Sequence, residues 1–90
     1  MPRYLVERTF CASADAVPVG RIANRRDAVI RANAREGVTW IHSFVTPDEC
    51  RSFCIVDSPS PEAIRAAAQA SVLPVDRITE VRVVDPYVLT

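Results

Sequence analysis

The chain has 90 residues, eleven basic and eleven acidic side chains, and a hydrophobic content of 49%. The zero net charge leaves no electrostatic footprint for nucleic acid or for an anionic membrane surface. No apolar run approaches the ~18 residues of a membrane span, and Met1-Pro2-Arg3-Tyr4 carries no leader-like apolar region. Ninety residues suit a single domain, 1–90. A domain of this size buries only about 60% of its unfolded surface, so a partner covering one face would add stability. Three cysteines without a Cys-x-x-Cys pair (Cys11, Cys50, Cys54) read as reduced thiols in a cytoplasmic protein rather than as a disulfide framework. All eleven basic residues are arginine, which with the many alanines reads as a GC-rich genome.

The first predicted element is a strand over Arg3–Phe10. A helix follows from about Asp15 to Glu36, with Asp15 or Ser13 as N-cap, Pro18 in its first turn and Gly37 as its C-terminal cap. Two strands, Val38–Val45 and Arg51–Asp57, are joined as a hairpin by Thr46-Pro47-Asp48-Glu49. The second helix runs from Ser60 to about Val72. Ser60 is its N-cap, Pro61 its first helical residue and Glu62 an acid at the positive terminus. Leu73-Pro74 ends it, and a last strand covers Ile78–Val84. The order β-α-β-β-α-β predicts an α+β, ferredoxin-like sandwich: a four-stranded antiparallel sheet with two helices on one face. This fold hosts many unrelated activities, so function has to come from side chains.

The strands are apolar on both faces. Trp40 and Phe44 alternate with Ile41 and Val45, Phe53 and Ile55 with Cys54 and Val56, and Tyr4, Val6 and Phe10 with Leu5. Two helices cover only one face of such a sheet. The other face would remain exposed, and exposed apolar patches mark interfaces or ligand sites. The expectation is a homodimer packed sheet against sheet, with the Tyr87–Leu89 tail reaching over the partner. The alternative is a monomer with an apolar ligand cleft.

His42 is the one side chain with a pKa near neutrality. Alternation puts it on the same face as Trp40 and Phe44. It reads as a metal ligand or general base in a semi-apolar cavity, against the commoner case of a buried or interfacial histidine whose nitrogens are satisfied by hydrogen bonds. Cys54 lies on the hairpin's other strand. A thiolate beside an imidazole suits nickel, copper or zinc, whereas a free cysteine more often fills space as a small hydrophobe. Cys50 is two pleats from Cys54 and should not bridge to it. Glu7 on the first strand is expected beside Glu80 or Arg82 on the last, as a metal or acid/base carboxylate or as part of an ion-pair network. Asp57, before Ser58-Pro59, reads as turn chemistry. There is no metallochaperone Cys-x-x-Cys loop, no RNA-binding basic-Gly-aromatic pattern in the third strand, and no glycine-rich phosphate loop, with two glycines in all.

Several segments carry a resemblance. They are Tyr4-Leu5-Val6-Glu7-Arg8, Gly37-Val38-Thr39-Trp40-Ile41-His42-Ser43-Phe44-Val45-Thr46, Phe53 to Asp57 with Ser58 to Ile64, and Leu73-Pro74 with Asp76 to Val81. Together they resemble a family of small bacterial proteins, first grouped as a domain of unknown function and later described as nickel-binding. The resemblance covers nearly the whole chain. It implies a ferredoxin-like dimer that binds nickel or another divalent transition metal, with His42, Cys54 and Glu7 as the positions to which a metal role carries over. One histidine per chain does not build a nitrogen-rich site, so both subunits, or carboxylates and water, would have to complete it. The alternative is a small-molecule-binding protein or enzyme of the dimeric ferredoxin-like type, with His42 and Glu7 as an acid/base pair.

Overall fold

The computed structural model describes residues 1–11 and 25–88. Its elements are β1 (Arg3–Thr9), α1 (Arg26–Arg35), β2 (Thr39–Val45), β3 (Arg51–Asp57), α2 (Pro61–Ser71) and β4 (Arg77–Val81). The four strands form one sheet in the order β2-β3-β1-β4, every neighbouring pair antiparallel. This is the ferredoxin-like arrangement that the element order predicts. The expected N-cap at Ser13 or Asp15 and the Pro18 turn lie outside the described residues.

Local chemistry sets the helix ends. Ser60 accepts a hydrogen bond from the Ala63 amide at 3.2 Å, and Pro61 opens α2 with no amide to satisfy. At the end of α1, Gly37 takes φ +72°. Its amide donates to Ala34 O, and the Val38 amide donates to Asn33 O. These two bonds close a Schellman motif, and only glycine enters that left-handed region without a steric cost. α2 ends on Val72 at φ +57°, an uncommon conformation for a β-branched residue.

The core lies between the sheet and the helices. β1 contributes Tyr4 and Val6, with Phe10 just past its end, β3 contributes Cys54 and Val56, and Ile64, Ala67 and Ala68 come down from α2. Burial alternates strictly along β1 and β3, the period-two signature of a sheet with one covered face. β4 is shorter than expected. It stops at Val81, and Val83 and Val84 lie beyond it, exposed.

The cysteines depart from expectation. Cys11 and Cys50 form a disulfide, so reduced thiols at all three positions are corrected to one free, buried thiol, Cys54. The cause is strand register. β1 pairs with β3 as far as Thr9↔Arg51, and the Phe10 amide donates to Cys50 O, which carries Cys11 to the hairpin turn. Among the described residues, no helix is long and apolar enough to cross a membrane.

Candidate functional site

A bulge in β2 decides where the candidate residues point. Trp40 pairs with Val56, but the next partner pair is His42↔Ile55, so Ile41 is the extra residue. The bulge moves His42 out of phase with Trp40. His42 and Phe44 lie with Ile55 and Phe53 on the sheet's open face, while Trp40, Ser43 and Val45 share the covered face with Val56, Cys54 and Ser52. The expectation that His42 shares a face with both Trp40 and Phe44 therefore holds for Phe44 alone. The His42 and Phe44 rings meet edge-on, with centroids 5.2 Å apart. The Trp40 indole donates to Ser43 Oγ at 2.8 Å on the opposite side.

His42 and Cys54 are thus on opposite faces, and one chain does not bring them to a common point. Cys54 is buried, with Sγ 3.8 Å from Ser52 Oγ. Glu7 shares the open face with His42, but it pairs with Phe53 two strands from β2. Its carboxylate lies 3.8 Å from the Arg51 guanidinium, which also stacks over the Phe53 ring at 5.0 Å. The expected meeting of Glu7 with Glu80 or Arg82 does not occur. Across β1 and β4, Glu7 faces Arg77 and Glu80 faces Tyr4, while Arg82 lies past the end of the strand. Asp57 closes β3 rather than making a turn. It takes two hydrogen bonds from Arg3, at 2.7 and 3.1 Å. The Arg3 bond and charge hold its carboxyl below the ordinary 3.8.

The open face therefore has an apolar centre, Leu5, Phe44, Phe53 and Ile55 with His42 among them, and an ion pair at each end: Arg3–Asp57 and Arg51–Glu7. Phe44 is 61% exposed. An apolar centre inside a polar rim is the usual anatomy of a protein interface. His42 is exposed there. Among the described residues, no group of three or more His, Cys, Asp or Glu side chains converges to hold a metal ion. A metal site on this face would need donors from outside a single chain.

The covered face holds a different feature that sequence reasoning missed. A cavity of about 130 Å³ lies between the sheet and the helices, lined by Trp40 and Cys54 but not by His42 or Phe44. Arg8 also lines it and is only 8% exposed. The signal was present in β1, where Arg8 falls in phase with Tyr4, Val6 and Phe10.

Fold and faces together define a ferredoxin-like α+β protein with one covered and one open sheet face. The chain belongs to the SCO4226-like family of nickel-responsive proteins, whose family model matches residues 4–81. No curated protein matches it. Among solved structures, the crystal structure of SCO4226 from Streptomyces coelicolor A3(2) is similar, with a TM-score of 0.73 at 16% identity. The match covers 92% of this chain and 99% of that one. At that identity the likeness speaks for the fold alone.

Proposed function

We propose that the protein is a homodimer, packed through the open sheet face, that binds nickel or a similar divalent transition metal through His42. The observation that carries this reading is the exposed His42 within an apolar, ion-pair-rimmed face, in a chain whose family is described as nickel-responsive. A two-fold dimer sets one patch against its own copy and so doubles the donors near it. Imidazole nitrogen suits nickel, and open-face carboxylates and water would complete the ligand set. Glu7 and Asp57 are carboxylates on that face, although Arg51 and Arg3 already engage them. Cys54, behind the sheet, takes no part. Val83, Val84 and Tyr87, exposed beyond β4, add apolar surface that a partner would cover. Acid/base catalysis by His42 gains nothing from the cavity, which His42 does not line. The cytoplasmic location expected from the sequence belongs to this reading, and there the Cys11–Cys50 bond would have to withstand the reducing thiol pool.

Sedimentation of the protein beside a Phe44→Asp variant tests the arrangement. The reading predicts a dimer that Phe44→Asp converts to a folded monomer with reduced nickel uptake. A monomeric parent protein, or nickel uptake indifferent to Phe44→Asp, would overturn it.

A further inference from the structure

Arg8 is a buried charge with no charged partner among the described residues. Burying a guanidinium without a counter-charge is unfavourable, because its hydration is lost and no opposite charge replaces it. The only side-chain hydrogen bond Arg8 makes among the described residues is from Nη1 to Pro74 O at 2.7 Å. The salt bridges among those residues are Arg3–Asp57, Arg26–Asp27 and Arg51–Glu7, and none includes Arg8. A guanidinium carries five N–H donors, so most of its capacity is left over. The cavity it borders is otherwise largely apolar, walled by Phe10, Val29, Leu73 and Trp40, with the Asn33 amide on the same lining. Ser43 and Ser52 already face the Trp40 indole and the Cys54 thiol, which among the described residues leaves Arg8 and Asn33 as the polar groups open to a guest.

A partly open apolar pocket with one fixed cation on its lining is the pattern of a small-molecule site. The guanidinium fork matches a carboxylate in two parallel hydrogen bonds. A polyanion such as phosphate would want several cations, and among the described residues lining this cavity there is one, Arg8. Size limits the guest as well: an apolar cavity of about 150 Å³ holds one benzene ring. We infer that the cavity between the sheet and the helices binds a small apolar monocarboxylate. Its carboxylate sits on Arg8, with Asn33 beside it, and its ring or short chain lies among Phe10, Val29 and Leu73. The site is on the opposite side of the sheet from His42 and is independent of the metal reading.

Calorimetric titration with benzoate, and with benzyl alcohol as its uncharged counterpart, tests this. Benzoate should bind the parent protein at least about tenfold more tightly than benzyl alcohol, the margin expected of a charge-assisted pair. Arg8→Met should erase that preference, leaving benzoate no better than the alcohol. If Arg8→Met fails to fold, Leu73→Trp keeps Arg8 and fills the rim, and it should weaken benzoate by a similar factor. Equal affinity for the two compounds in the parent protein, or no benzoate binding at millimolar concentration, would overturn the proposal.

Discussion

The two faces of the sheet are built from the same strands and differ in almost every respect. The covered face holds the core, with one cavity left in it: Val6 is fully buried, Ile64 is 2% exposed, and Ala67 and Ala68 let α2 come close. Its anomaly is polar, the near-buried Arg8. The open face is apolar at its centre, half-exposed, and edged by ion pairs, and it carries the chain's one histidine. A face that is already packed supplies stability. A face left apolar in water is a cost to the lone chain and so points outward, to whatever covers it. In a domain this small, the covering element is expected to matter to stability as well as to function.

The largest test of that contrast is a pair of truncations. Ile64→Ala, on the covered side, should lower unfolding stability by about 3 kcal/mol, the usual cost of truncating a buried core isoleucine. Phe44→Ala, on the open side, should change the stability of a dilute monomer by no more than about 0.5 kcal/mol while weakening self-association. Chemical denaturation at low and high protein concentration separates the two effects. A concentration-independent loss for Phe44→Ala would mean that the open face is an ordinary part of the monomer.

A smaller effect comes from the rim of the open face. The Asp57 carboxyl has a folded-state pKa below its ordinary value because of Arg3. A depressed carboxyl adds stability above its unfolded value and loses that contribution as pH falls through the folded one. The melting-temperature gap between the protein and Asp57→Asn should therefore be present at neutral pH and close in acid, below the ordinary carboxyl range of about pH 4. A gap that widens in acid would contradict the pairing.

The sequence made the element order, the helix caps at Ser60 and Gly37, and the two apolar faces legible, because these rest on local chemistry and on a period of two. What it hid depends on register. The bulge at Ile41 carries no glycine or proline to announce it, yet it moves His42 to the opposite face from Trp40. That one residue separates the proposed ligand from Cys54 and from the cavity. The Cys11–Cys50 bond and the Glu7–Arg51 pair follow from how β1 slides against β3, which no single strand encodes. Arg8 is a different case. Its phase with Tyr4, Val6 and Phe10 is readable in the sequence, and a charge on a core face calls for a partner.

The central claim is that the metal chemistry belongs to the open face. It is tested most directly by calorimetric titration of nickel into the protein, His42→Ala and Cys54→Ala. The account predicts binding by the parent protein, loss in His42→Ala and retention in Cys54→Ala. Binding that survives in His42→Ala, or vanishes in Cys54→Ala, would contradict it and move the metal to the other side of the sheet or off the protein altogether.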